Sequence, residues 1–349
     1  MDVELAGAVL GGVTVLGTGL LARRITGRPV VGLIAAALVA VSPTLIASAG
    51  SSMSESLSVP LMVLVLLGAS WAARASSVLP WVAVGLGAGF LALVRSEDLL
   101  VALVLVPAAV VVSPDRSWRW RGASAAVALA AALAVVAPGT LRNYETFHPH
   151  VVVSTNGGKT LAGANCRSTY YGSLIGAWDF RCLGHDRLAT SDEARYDQLL
   201  RAQGRRYIDS HRGQLALVLP VRVLRAWGLY APVQEAHLDG LQTRSVGWQE
   251  LAWPASLLTL SFALAGMVLL RNDRLAIVLV AGPAVLDTFV VLVSFGNDRY
   301  VLSAVPSLCI ATALTLTWVY RRLGRGRAIR GSSSEAAQFE TGQFETGAK

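Results

Sequence analysis

The chain has 349 residues, 54% of them hydrophobic and only 15% charged, with a positive mean hydropathy of +0.53. That composition excludes an ordinary soluble domain and is that of a polytopic membrane protein. The formal charge is +8, but the basic residues fall in short clusters at the ends of apolar runs, a pattern of membrane orientation rather than of nucleic-acid binding.

A spanning helix needs roughly 20 mostly apolar residues, with about 17 as a lower limit. Nine runs qualify or nearly so: Leu5 to Ala22, Val30 to Ala49, Leu57 to Ala73, Val78 to Val94, Leu99 to Ser113, Gly122 to Thr140, Leu251 to Leu270, Leu275 to Phe295 and Val301 to Tyr320. The expected fold is all-α and polytopic, with about nine transmembrane helices and one extracytoplasmic insert containing amphipathic helices. Four regions follow: an N-terminal bundle of six spans (1–140), the insert (141–250), a C-terminal bundle of three spans (251–320) and a polar tail (321–349) with the short repeat "QFETGQFETG", expected to be disordered.

Basic residues near helix ends are retained on the cytoplasmic side. One set of loops holds fourteen arginines: Arg23, Arg24, Arg28, Arg74, Arg116, Arg119, Arg121, Arg271, Arg274, Arg321, Arg322, Arg325, Arg327 and Arg330. The short connections on the other side hold only Arg95 and Arg299. This asymmetry predicts a multi-pass plasma-membrane protein with its C-terminal tail in the cytoplasm and residues 141–250 outside. Nine spans then put Met1 outside with no cleavable signal ahead of it, so either the amino end is translocated unaided or an upstream hairpin is expected.

Within the insert, Thr190 and Glu193 form a capping-box signal with Asp192 in the first turn, and the spacing of Tyr196, Leu199, Leu200, Tyr207 and Ile208 predicts a helix over Ser191 to His211. Gln214 to Trp227 reads as an interfacial helix whose Arg222 and Arg225 reach lipid headgroups, or equally as a short packed helix with solvated arginines. Cys166 and Cys182 lie here in an oxidising compartment, which favours a disulfide; free thiols, or a weaker zinc site with His185, are the alternatives. The stretch "VVVSTNGGKTLAGANC" (151–166) sounds like a phosphate loop, but Val153 stands where a true P-loop needs its first glycine. What remains is a flexible backbone able to approach a ligand closely.

Chemistry should gather at the outer turns. "SSMSES" places Glu55, "VRSEDL" places Arg95, Glu97 and Asp98, and "FGNDRY" places Asp298 and Arg299. The insert adds Arg142, Asn143, Asn156 and Lys159 as candidate substrate-binding groups. Carboxylates serve as bases or metal ligands and arginines clamp phosphate; the plainer alternative is a set of membrane-interface charges. Asp287 is the one ionisable residue deep within a span, a feature that also admits a lipid transporter.

The segments "SPTLIASAGSSMSESLSVPLMVLVLLG", "GLGAGFLALVRSEDLLVALVLVP", "PGTLRNYETF", "STNGGKTLAGANCRSTYYGSLIGAWDFRC", "RYIDSHRGQLALVLPVRVLRAWG" and "NDRYVLSAVPSL", in that order and spacing, resemble multispanning glycosyltransferases of the GT-C class. The likeness is to relatives of the aminoarabinose transferases and protein O-mannosyltransferases, of actinobacterial type. The resemblance implies transfer of a sugar from a polyprenyl-phosphate carrier to a lipid, glycan or protein acceptor on the outer face, with inversion at the sugar carbon. It matches Glu55 to the acidic residue of the second outer loop, Arg95 and Glu97 to the polar pair of the next turn, and Arg299 to the basic residue before the last span. Glu55 and Glu97 are thus the candidate catalytic carboxylates, Arg95 and Arg299 the donor-phosphate ligands. No cofactor is implied with certainty, and a divalent metal stays open. The family's chief carboxylate belongs to a first outer loop that precedes Leu5 and is not matched by Asp2 or Glu4. The chain is therefore expected to be amino-terminally shortened and to transfer little sugar, leaving a non-catalytic relative that binds lipid carriers or a partner as the alternative.

Overall fold

The computed structural model describes residues 2–49, 53–148, 150–183, 192–240 and 245–323. Helix α1 (Asp2–Thr26) stops where Gly27 takes φ +67°, a left-handed conformation that suits glycine at a helix end. Pro29 opens α2 (Pro29–Ala40), where its missing N–H leaves no bond unmade. The second apolar run is not one straight helix. Pro43 cannot donate to a continuing ladder, so the chain bends by 57° into α3 (Pro43–Ala49).

Next come α4 (Glu55–Ala72) and α5 (Pro80–Val94). The fifth run begins with a π-helical turn (Val101–Leu105) and continues as α6 (Val106–Val111). Helix α7 (Trp118–Thr146) is capped by Ser117, whose hydroxyl accepts from Trp120 N at 3.2 Å, and it outruns its expected end at Thr140. Beyond the insert lie α13 (Val246–Leu270), α14 (Arg274–Val293), a 3-10 turn (Asp298–Ala304) and α15 (305–323).

All nine apolar runs are helical. Six of the described helices are long and apolar enough to cross a membrane, and seven if the bent α2 and α3 count as one span. The difference from nine lies in the bent second run, the 15-residue α5 and the interrupted fifth run. Small residues let the bundle close tightly: a Cβ on Gly85 would stand 2.1 Å from Ala128 O, so α5 and α7 meet backbone to backbone. The core runs through Trp81, Leu91, Leu105, Leu279 and Ile310, while α13 leaves Leu251, Leu258, Leu264 and Val268 exposed, as a lipid-facing surface requires.

The insert holds α8 (Gly157–Ala164), α9 (Arg167–Tyr170), α10 (Glu193–Ser210), α11 (Arg212–Ala226) and α12 (Pro232–Gly240). Its glycine-rich stretch is helical rather than flexible. A Cβ on Gly158 would lie 2.2 Å from Asp197 O, so the glycine lets α8 press on α10, and the Asp197 carboxylate accepts from Gly158 N. Helix α10 is capped by Asp192, which accepts from Ala194 N at 2.9 Å; Thr190 and His185 lie outside the described residues. Cys166 and Cys182 are joined by a disulfide.

The expectation for α11 is corrected: Arg222 and Arg225 reach neither headgroups nor solvent, being 2% and 0% exposed. Arg222 donates to Leu292 O (3.2 Å), Ala164 O (2.8 Å) and Asn165 Oδ1 (2.9 Å). Arg225 donates to Ile175 O (2.6 Å), Ser173 O (2.7 Å), Gln234 Oε1 (2.7 Å) and Glu235 Oε2 (3.1 Å). Backbone carbonyls turned inward by irregular segments need donors, and a guanidinium supplies five in a fixed fork.

Candidate functional site

Three turns far apart in sequence meet at Glu55, the first residue of α4, which is 1% exposed. Arg299, in the 3-10 turn before α15, donates to Glu55 Oε1 from Nε and Nη2, both at 2.8 Å. Arg95, just past α5, donates from Nη1 to the same oxygen at 3.3 Å and to Arg299 O at 3.1 Å. Its Nε and Nη2 go to Glu97 Oε1 at 2.9 and 2.8 Å. The ring of Tyr300 lies 5.2 Å from the Arg95 guanidinium carbon. Glu55, Arg95, Glu97 and Arg299 are therefore one cluster.

Burial opposes the charge on Arg95, but Glu97, Asp98 and Glu55 hold it above its ordinary value. Burial likewise pushes Glu97 up, and the Arg95 guanidinium outweighs it, leaving the carboxyl below the usual range. Asp98 differs. Burial, opposed by Arg95 and reinforced by Glu97 and Glu55, pushes it up to about 7, and its Oδ2 is buried with no hydrogen-bond partner among the described residues. Sequence reasoning placed Asp98 in the turn but did not single it out from Glu97.

The insert's candidates stand apart from this cluster. Lys159 Nζ donates to Asn156 Oδ1 at 3.4 Å within the start of α8, Asn143 Nδ2 donates to Val153 O at 3.4 Å, and Arg142 is exposed near the end of α7. Asp287 is satisfied by Ser303 Oγ, at 2.9 and 2.8 Å to its two oxygens, and by Ala304 N at 3.1 Å. It anchors the turn that carries Arg299, so the residue that admitted a transporter has a structural use.

Two cavities adjoin this region. A slot of about 190 Å³ between α1, α2, α3 and α4 reaches Glu55 and is otherwise walled by residues such as Gly7, Gly11, Ser48, Val59 and Pro60. A larger cavity of about 340 Å³ is lined by α2, α3, α12, α13 and α15, and by Asp298. Its polar end is a chain the sequence did not reveal: Asn297 Nδ2 donates to Glu235 Oε1 and Asp239 Oδ1, both at 2.8 Å, and Gln249 Nε2 donates to Asp239 Oδ2 at 2.7 Å. Burial, opposed by Arg225 and reinforced by Asp298, pushes Glu235 up to about 7. The available signal was the i, i+4 spacing of Glu235 and Asp239 just ahead of a span. Among the described residues no group of three or more His, Cys, Asp or Glu is gathered as a metal ion needs.

Residues 1–141 match the family model described as dolichyl-phosphate-mannose-protein mannosyltransferase. Over 96% of its length the chain also superposes on a crystal structure of the Archaeoglobus fulgidus oligosaccharyltransferase in complex with zinc and sulfate, with a TM-score of 0.52 at 15% identity. The chain shares its fold with that structure. It spans 39% of the oligosaccharyltransferase chain. Among curated proteins none matches it. The family match to residues 1–141 covers the segments that carry Glu55, Arg95 and Glu97. The carboxylate and the arginine that meets it across the bundle thus come from opposite ends of the chain.

Proposed function

We propose that this chain is a membrane glycosyltransferase of the GT-C class that takes a sugar from a polyprenyl-phosphate carrier on the outer face of the plasma membrane. The supporting observation is the convergence of Arg95 and Arg299 on the single buried oxygen Glu55 Oε1, at the end of an apolar slot within the bundle. A polyprenyl chain suits the slot, and the two guanidiniums gathered on Glu55 suit a phosphate. Glu55, with two arginines on one oxygen, orients these cations.

In the transfer, an acceptor hydroxyl oxygen forms a bond to the anomeric carbon while the bond from that carbon to the phosphate oxygen breaks. The electron pair leaves on polyprenyl phosphate, whose charge the arginines stabilise. The hydroxyl proton goes to a carboxylate. Of the carboxylates in this cluster, Asp98 is the one with an oxygen that has no partner among the described residues and a pKa near neutrality. The insert would cover the site from outside. The test is the full chain reconstituted in vesicles with a radiolabelled polyprenyl-phosphate sugar. Saturable donor binding that falls in Arg299→Ala and Arg95→Ala is expected, and wild-type protein that neither binds nor consumes the donor refutes the reading.

A further inference from the structure

The larger cavity is long and narrow. Its lining runs along α13 from Gln249 to Phe262, roughly 20 Å at helical rise, yet its volume is about 340 Å³. Below the polar end its walls are mostly apolar, including Ala252, Leu258, Leu308 and Leu316. Trp253 and Leu258, which line it, are 42% and 63% exposed on the outer surface of α13. Such a passage meets the lipid phase sideways, where a water-soluble ligand does not arrive.

The polar end states what the ligand's head must bring. Asn297 spends both N–H groups on Glu235 and Asp239, and Arg225 is engaged by three carbonyl-type oxygens and Glu235. Gln249 gives its amide nitrogen to Asp239, which fixes the amide orientation. Its Oε1 is then a buried acceptor with no partner among the described residues, on a side chain that is 5% exposed and lines the cavity. Leaving a buried acceptor unmet is costly. A ligand with hydroxyl donors supplies what is missing, whereas a phosphate head would face the oxygens of Glu235 and Gln249.

We propose that this cavity binds a single-chain lipid by its hydrocarbon tail, with a hydroxyl-bearing head group donating to Gln249 Oε1 and Glu235, and that this lipid is the acceptor. Its role as acceptor rests on the glycosyltransferase reading; its binding does not. Asp298 lines this cavity while the next residue, Arg299, holds Glu55 of the smaller slot. The two lipids would therefore meet across one turn, phosphate on the Arg299 side and hydroxyl on the Asp298 side.

The experiment uses the full chain in nanodiscs and two photoreactive probes with identical diazirine-bearing acyl chains, a monoacylglycerol and its glycerol-phosphate counterpart, with labelled peptides mapped by mass spectrometry. The monoacylglycerol is expected to label the walls at 252–262 and 308–316 about fivefold more than the phosphate probe, competed by unlabelled monoacylglycerol. Gln249→Leu should reduce that labelling about fivefold, the scale of one hydrogen bond. Equal or greater labelling by the phosphate probe, or labelling outside these walls, overturns the proposal. So does undiminished labelling in a folded Gln249→Leu protein; the wild-type competition decides if that variant does not fold. Labelling needs no sugar transfer, so a failed transfer assay with positive labelling removes the acceptor role alone.

Discussion

Arg299 donates from both Nε and Nη2 to one oxygen of Glu55 across 244 residues of chain, each at 2.8 Å. The pair fixes the turn before α15 against the start of α4, and it sets what each substitution should do. Arg299→Ala should weaken polyprenyl-phosphate donor binding by about 1.5 to 3 kcal/mol, the scale of a charge-assisted hydrogen bond, and should also lower stability, since the buried Glu55 oxygen then keeps only Arg95. Glu55→Ala should cost about 3 kcal/mol of stability, since it removes the buried carboxylate that Arg95 and Arg299 share. Donor titration and thermal unfolding in nanodiscs separate the two; equal affinity in a folded Arg299→Ala protein would assign that arginine to packing.

Asp98 gives a pH dependence of definite sign. Its folded pKa of about 7 lies above the ordinary 3.8, so between these values the folded state holds more protons than the unfolded one. Its contribution to stability is complete below about pH 4 and is lost as pH rises through 7. Asp98→Asn should flatten the fall in melting temperature between pH 5 and 8. It should also abolish transfer at saturating donor if Asp98 takes the acceptor proton, while donor binding persists. An unchanged pH profile in both readouts would remove Asp98 from either part.

The bridge between Cys166 and Cys182 closes a loop across a sequence separation of 16, a length for which a disulfide contributes about 3 kcal/mol. Replacing both cysteines with alanine should lower the insert's stability by that order. In intact cells an impermeant maleimide should react with them only after reductant is added. Immediate labelling would show free thiols.

Two glycines of the insert should respond oppositely to alanine. Gly158 has no room, with Asp197 O 2.2 Å from a built Cβ, whereas a Cβ on Gly213 meets nothing within 4 Å. Gly158→Ala should cost about 1 to 3 kcal/mol by forcing α8 from α10, read as faster proteolysis of the insert. Gly213→Ala should be neutral or stabilise by up to about 1 kcal/mol.

The sequence made the bundle and the Glu55 cluster legible for the same reason: in a chain this apolar, helix ends and charges stand out, and Glu55, Arg95, Glu97 and Arg299 all sit at such ends. The partners of Arg222 and Arg225 were not legible. Most are backbone carbonyls such as Leu292 O and Ile175 O, which leave no mark in residue identity. Glu235 and Asp239 were hidden by context, since acidic residues in a polar insert read as solvated until Asn297 and Gln249 close over them. The glycines of 157–163 suggested freedom, but proximity to α10 and Trp178 is what requires them.

The insert and the turn bearing Arg299 are sewn together. Gly296 N donates to Gly176 O at 2.8 Å, Arg222 holds Leu292 O, and Asn297 grips Glu235 and Asp239 of α12. Whatever docks on the insert therefore pulls on the same strand of chain that positions Arg299, and linkage makes the influence mutual. A molecule that grips the insert more tightly when the carrier is bound must, by the same factor, slow the carrier's escape or hasten its arrival, so the insert and the phosphate anchor would function as one mechanical part.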